Sequence, residues 1–432
     1  MTEPAGSPGL RPVLALWEVT AAGVAIIVGA GVYVIIGEAA GEAGAAVWLS
    51  FLVAGVLSGL TALSYAELAS MFPRAGAAFE YTSRAFPPVV AFLAGWSMAV
   101  ALVIAVAAVA LGFGEYFREF VDVDARIPAA ALVLASIAST AGGVKESVRL
   151  GVALSVVEVG GLVFIIFVGA PSIGDVGLLE GATAGGVLSG AALVFFAYIG
   201  FEEVTTLAEE TRNPSKTIPR ALLLALAIST LVYTLAAVAA VSAIGPAELA
   251  AAERPLAEVA RTVFSGAGGT LAVVAMVATA STALLALNST ARILFGMARG
   301  GVLPHAAAAV SRRTGVPLRA IMVSGVVALA FVASGDLGLV AGATDAMIYV
   351  VFLAVNLAAV VLRFRMPDVQ RPFRAPLAIG KLPLTPVLAM AVALVFMARL
   401  DPSSVLIAAG LGAAGLALYL GYRRWGGGEP AT

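Results

Sequence analysis

The chain has no cysteine and a single histidine, His305. Without cysteine there is no disulfide, no thiolate-ligated zinc and no thiol nucleophile, and the redox compartment leaves no mark. One loop histidine cannot supply an intramembrane Ser–His pair or a His-ligated metal. The aspartates all fall away from the centres of the apolar runs, so an intramembrane aspartyl pair is not expected either. An enzyme is therefore not expected, and no organic cofactor is implied. Charge is also scarce: Asp, Glu, Lys and Arg make up 12% of the 432 residues and sum to −1. That leaves no basic surface for a nucleic acid.

Apolar residues are what the chain has instead. They form 61% of the sequence, and the mean hydropathy is +1.03. No soluble surface can be covered with so few charges, so the fold class is an all-α integral membrane protein whose first partner is the lipid bilayer. The opening "MTEPAGSPGLRPV" lacks a basic region followed by a cleavable apolar core. The first apolar run is expected to be kept as a span.

A spanning helix needs about 20 mostly apolar residues. On that measure helices are expected near 14–36, 44–71, 88–112, 127–143, 148–170, 185–207, 219–244, 270–296, 317–334, 338–362, 383–400 and 403–422. With the N-terminus in the cytoplasm, the Lys and Arg residues gather on the inside, as topology rules require. Of the 25, only Arg118, Arg126, Arg254, Arg261 and Arg399 fall outside. Twelve transmembrane helices with both termini cytoplasmic follow, a multi-pass protein of the cell membrane.

Two spans carry interruptions. "IIVGAGVYVIIG" (26–37) puts Gly29 and Gly31 in mid-membrane, and "FFAYIGFEEV" (195–204) follows Gly200 with Glu202 and Glu203. Glycine weakens a helix by about 1 kcal/mol relative to alanine, and carboxylates at that depth imply a cavity rather than lipid. Alone, the first stretch reads as close helix packing. The charged interruption five spans later changes its meaning, because matched breaks in two halves indicate an inverted repeat with a site at the midplane. The organisation is then a tail over 1–13, a first repeat over 14–170, a second over 171–362, two further helices over 363–422, and a tail over 423–432. A broken helix frees N–H groups at one half-helix end and carbonyls at the other. A molecule bearing both a carboxylate and an ammonium fits such a site, which implies an α-amino acid.

At these residues the sequence resembles the amino acid–polyamine–organocation (APC) superfamily of permeases with the leucine-transporter fold. "VGAGVYV" (28–34), "SYAELASMFPRAGAAFEYTSRAF" (64–86), "FFAYIGFEEVTTLAEETRNPSKTIPRA" (195–221) and "ARILFGMARGGVLP" (291–304) carry the likeness. Departures are Ala77, Phe79 and Gly300, where Gly, Tyr and Asp are more usual. The resemblance implies a 5+5 inverted repeat with helices 1 and 6 broken, plus two C-terminal helices. It implies a secondary active transporter that imports amino acids by alternating access with cation (proton) symport. Na⁺-coupled or exchange-type transport of amino acids or polyamines, and a substrate-sensing receptor on the same fold, are the alternatives. By the same resemblance, amides around Gly29, Ala30 and Gly31 would bind the substrate carboxylate. Carbonyls near Ile27 and at Phe196, Ala197 and Ile199 would hold the ammonium. Phe201 or Tyr198 would close the extracellular side, and side chains on the third, sixth, eighth and tenth helices would set specificity.

Glu158 stands alone in the apolar run from Leu150 to Val168, where a carboxylate costs about 2.5–3.5 kcal/mol on insertion scales. In proton-coupled relatives the fifth helix often carries a lysine at a position that resembles it. Here the charge is reversed, and an anion there wants a cation. Either Glu158, Ser281 or Thr282 and carbonyls of the first half-helix ligate Na⁺, or Glu158 itself takes and releases the driving proton. The bland alternative is a protonated carboxyl that only hydrogen-bonds a neighbour. Glu202 and Glu203 would line a cavity or gate, with one of them capping the half-helix that starts there. Glu67 and Glu18 are expected to pair with Arg74, Arg292 or Arg299.

Overall fold

The computed structural model describes residues 13–73, 77–142, 144–263, 266–299, 301–303 and 318–424. The two tails lie mostly outside this set, and His305 lies outside it altogether. The described chain is helical almost throughout. In order the helices are α1 (Leu16–Ile27), α2 (Gly31–Ala43), α3 (Val47–Met71), α4 (Ala77–Ala85), α5 (Pro88–Phe117) and α6 (Arg126–Gly142). Then come α7 (Val144–Gly169), α8 (Ala184–Val194), α9 (Pro214–Ile244), α10 (Pro246–Ala251) and α11 (Pro255–Arg261). The last five are α12 (Ala267–Arg299), α13 (Leu318–Val332), α14 (Leu337–Arg365), α15 (Leu384–Met397) and α16 (Pro402–Arg424). A two-stranded antiparallel hairpin, β1 (Ala378–Ile379) and β2 (Leu382–Pro383), pairs Ala378 with Pro383 and Ile379 with Leu382 between α14 and α15.

Among the described residues, 8 helical stretches are long and apolar enough to cross a membrane, from Gly31–Met71 to Pro402–Arg424. Four shorter apolar helices accompany them: Leu16–Ile27, Arg126–Ala141, Leu318–Val332 and Leu384–Met397. This is an all-α membrane protein. In such a solvent each backbone polar group must be satisfied within the segment, which is why helix is the prevailing state.

Local chemistry sets the ends. Proline opens α5 and α9, where its missing N–H costs nothing. The Thr183 hydroxyl accepts the Gly186 N–H at 3.0 Å to start α8, and the Asp336 carboxylate accepts the Leu339 N–H at 2.9 Å to start α14. The helix expected near 219–244 would start at Pro219. Because α9 begins at Pro214, it falls inside the helix instead.

The core is largely alanine, valine and glycine, which lets helix axes approach closely, as membrane helices do. Its large members are aromatic. Phe201 meets Tyr65 and Phe352 with centroids 5.9 and 5.2 Å apart, and Phe195 meets Tyr349 at 4.9 Å. One buried ion cluster stands apart. Arg363 grips Glu67 through two hydrogen bonds of 2.9 and 2.5 Å, and Arg371 adds one of 3.1 Å. The Ala375 N–H completes the carboxylate at 2.8 Å. The expected partners of Glu67 are thus corrected: its cations come from α14 and the loop after it. The Glu18 carboxylate accepts the Ala15 N–H at 2.6 Å and caps α1, while Arg74 and the Arg299 side chain lie outside the described set. The Glu67 pairing was not legible because it depends on which helix ends meet, whereas the Glu18 cap is local, three residues from its donor.

Candidate functional site

Both expected interruptions are present as breaks. The first helical run ends at Ile27, passes through Val28, Gly29 and Ala30, and resumes at Gly31 as α2. The second run ends its α-helix at Val194, tightens into a 3₁₀ turn over Phe195–Tyr198, turns at Ile199 and Gly200, and continues as 3₁₀ helix over Phe201–Glu210. Gly200 has φ 110°, a backbone that side chains rarely adopt. Glu202 accepts the Gly200 N–H at 3.1 Å, so it caps the segment that follows.

The breaks touch. A Cβ added at Gly31 would overlap the Ala197 Cα, so glycine permits the approach of one main chain to the other. The Tyr233 hydroxyl, from α9, lies 2.7 Å from the Ile27 carbonyl and 2.9 Å from the Ala197 carbonyl, bridging both interruptions. Ile27 also accepts the Gly29 N–H at 2.8 Å, and the Ala30 N–H donates to Thr282 Oγ1 at 3.0 Å.

These bonds revise the expected division of labour. The Ile27 carbonyl accepts the Gly29 N–H and shares the single Tyr233 hydroxyl proton with the Ala197 carbonyl, which leaves it less available to an ammonium. The Ala197 carbonyl already accepts from Tyr233. The Gly29 and Ala30 amides are likewise engaged. Among the described residues the Gly31 N–H has no acceptor, as befits the first residue of a helix. Best placed are thus the Gly31 amide on one side and, on the other, the Ile199 carbonyl and the Phe196 carbonyl, which accepts the Ile199 N–H at a long 3.4 Å and keeps its second lone pair.

A cavity of about 230 Å³ lies between the breaks. Ile27, Gly29, Ala30, Gly31, Phe196, Ala197, Ile199, Glu158, Ser281, Thr282 and Glu203 all border it. Leu102, Ala105 and Val109 of α5 and Leu285 of α12 give it an apolar wall. It extends toward the face that holds the first turn of α1, where Ala22, Leu207 and the exposed Thr206 and Arg292 stand at its edge. Glu203 lies beside Ser289 and Arg292 at that end. Away from that end, α10 and α11 pack on α2. There Arg261 pairs with Glu119 and Glu258, whose hydrogen bonds and charge hold its guanidinium above the ordinary arginine range.

Three sequence expectations lie elsewhere. Phe201 is fully buried between Tyr65 and Phe352, outside the cavity. Tyr198 turns away, donating to the Phe51 carbonyl at 2.8 Å and packing on Tyr233. Tyr198 ends the 3₁₀ turn before Ile199 and Gly200, and Phe201 starts the 3₁₀ segment after them, so the two flank the break and both side chains lie in the bundle. Among the described residues the tenth helix, α14, gives no side chain to the cavity wall, while α7 does through Ser155 and Glu158. Sequence reading missed Tyr233, Asn288 and Ser289. Asn288 and Ser289 are polar residues in an apolar run, and that signal was available.

Glu158 is held from two sides. Its backbone carbonyl accepts the Tyr33 hydroxyl at 2.5 Å, and its Oε1 hydrogen-bonds the Ser281 hydroxyl. That hydroxyl also lies 2.9 Å from the Ala278 carbonyl. Thr282 is turned away toward Ala30. Glu158 is 1% exposed, and among the described residues the basic side chain bordering the cavity is Arg292. No group of three His, Cys, Asp or Glu side chains converges among the described residues.

An apolar helical bundle in which two broken helices meet around a cavity with a polar centre and apolar wall fits the frame of a membrane transport protein. The chain belongs to the amino acid permease family, whose description matches residues 14–416. It is 30% identical over 414 residues to a methylthioribose transporter of Bacillus subtilis, covering 90% of this chain and 89% of that one. A branched-chain amino acid permease of the same organism is 28% identical over 397 residues, covering 86% and 85%. A vacuolar cationic amino acid transporter of Arabidopsis thaliana is 33% identical over 395 residues, covering 84% of this chain and 65% of that one.

Proposed function

We propose that this protein is a secondary active transporter that imports amino acids across the cell membrane by alternating access, driven by proton symport. One observation carries the substrate class. The free Gly31 amide, at the positive end of α2, and the Phe196 and Ile199 carbonyls border one small cavity. A carboxylate is favoured at the first and an ammonium at the second. The wall of Leu102, Ala105, Val109 and Leu285 suits an aliphatic side chain. A relative named as a branched-chain amino acid permease supports that choice.

The twelve-helix, 5+5 inverted arrangement and cytoplasmic termini complete the reading, with this conformation open to the inside through the Arg292 end. The proton is preferred over Na⁺ because the oxygen set around Glu158 is thin. Thr282 Oγ1 already accepts the Ala30 N–H, and the Ile27 carbonyl the Gly29 N–H and a share of the Tyr233 proton, leaving Glu158 and Ser281 as the oxygens on which no backbone N–H competes. A hard cation wants more oxygens than that. A protonated Glu158 suits the geometry: its O–H donates to Ser281 while Ser281 donates to Ala278. An ionised Glu158 competes with Ala278 for the one hydroxyl proton.

The test is uptake of a labelled amino-acid panel into proteoliposomes, with pH and Na⁺ varied independently on each side. Uptake driven by a pH gradient and made gradient-independent by Glu158→Gln is expected. Sodium-dependent uptake lost in that variant would replace the proton with Na⁺. Exchange without net uptake would make the protein an exchanger. Binding with no flux of any kind would make it a sensor.

A further inference from the structure

Asp345 and Tyr349 lie one turn apart on α14, a helix that does not touch the cavity, and both are wholly buried. Their shared face packs on the junction where α8 tightens into its 3₁₀ turn. In a continuing α-helix the Ala192 carbonyl would accept the Phe196 N–H. The α-helix stops at Val194 and that bond is not made. The Tyr349 hydroxyl takes the Ala192 carbonyl instead, at 3.0 Å. Its ring is fixed against Phe195, with centroids 4.9 Å apart, and against Phe396 at 6.1 Å. On the other side of the lost bond, the Phe196 N–H faces the Asp345 carboxyl. Neither carboxyl oxygen completes a hydrogen bond of full geometry among the described residues. One α14 turn thus addresses both backbone groups that the change of winding releases, and burying either without a partner is costly.

We infer that Tyr349 and Asp345 are positioning residues for the substrate site: they set where the sixth helix breaks, and through it the direction of the Phe196 and Ile199 carbonyls. The inference rests on the reading of the cavity as the amino-acid site. Tyr349 supplies a donor to the last free α-helical carbonyl, and Asp345 supplies an acceptor surface to the N–H one turn on. Neither touches substrate. Their effect reaches it through main-chain direction alone.

The test uses the full chain in proteoliposomes with Tyr349→Phe, Asp345→Asn and Asp345→Leu. Tyr349→Phe keeps the ring packing and deletes only the donor. It is expected to raise the KM for the best transported amino acid about fivefold to tenfold, a single hydrogen bond's worth, with the maximal rate little changed. Asp345→Leu is expected to do the same, and Asp345→Asn, which restores an acceptor oxygen, to remain near wild type. A second readout does not need transport. The chain has no native cysteine, so Ile199→Cys labelled by a water-soluble maleimide reports the break directly. Its labelling rate should change at least about threefold in Tyr349→Phe. Unchanged KM and unchanged labelling in both Tyr349→Phe and Asp345→Leu would overturn the inference. If Asp345→Leu does not fold, Tyr349→Phe decides alone. Altered labelling in a protein that moves no amino acid would uphold the positioning role while the transport reading fell.

Discussion

Alanine at Gly31 would put its Cβ on the Ala197 Cα, 2.9 Å from the Ala197 Cβ and 3.2 Å from its nitrogen. Two of those three atoms are main chain, so no change of rotamer clears them. The first break must back away from the second, and the Gly31 amide moves off the cavity axis with it. Forcing a methyl into a packed contact costs about 1–3 kcal/mol. If all of that falls on substrate binding, the loss is roughly 5- to 160-fold. Uptake kinetics in proteoliposomes, with thermal melting of the purified protein, measure the two places the energy can go. Ala197→Gly added to Gly31→Ala removes only the Cβ contact and should leave KM high. Gly23→Ala is the comparison. Its methyl meets side-chain atoms, Ala225 Cβ at 2.8 Å and Val204 Cγ2 at 3.0 Å, away from the cavity. It should lower the melting temperature while KM stays within about twofold. Gly31→Ala with wild-type KM and wild-type melting would refute the reasoning, because the two main chains could not then meet as described.

Tyr233→Phe removes the hydroxyl that joins the Ile27 and Ala197 carbonyls. The expected cost is about 1 kcal/mol, read as a roughly fivefold rise in KM; an unchanged KM would mean the bridge does not shape the site. Glu67→Gln leaves Arg363, 2% exposed at its side chain, without its counter-charge. Loss of one partner from a buried pair costs about 3–5 kcal/mol, so a fall in melting temperature is expected, and a melt like wild type would assign the charge of Glu67 no structural weight.

The sequence made the two breaks legible because each combines glycine with an abrupt change of character, Gly29–Gly31 in an aliphatic run and Gly200 before two carboxylates. Glu158 was legible for a cost reason: an ionisable group in an apolar helix needs a partner. Ser281 was then found as that partner, in contact with its carboxyl. What could not be read was anything fixed by winding or by saturation. That the segments on both sides of Ile199 and Gly200 are 3₁₀ rather than α puts Tyr198 and Phe201 into the bundle, and no composition signal marks the difference. That the Ile27 carbonyl is already engaged depends on Tyr233, 206 residues away. Asp345 was set aside because it lies off-centre in its apolar run, yet it is 0% exposed. Depth along a helix is visible in sequence; depth within a bundle is not.

Before α1, Leu14 pairs with Thr211 as an isolated parallel bridge. The Val13 and Leu14 amides both donate to the Glu210 carbonyl at 2.9 Å, and Arg212 donates to the Leu14 carbonyl at 2.9 Å. The inner ends of both broken helices are therefore laced together through main chain alone. Such a fastening carries no residue identity. Almost any amino acid can occupy those positions and preserve it, so a comparison of side chains would pass over the one place where two remote stretches of the chain are obliged to travel together. Proline, which has no N–H to lend, is the substitution that would reveal it.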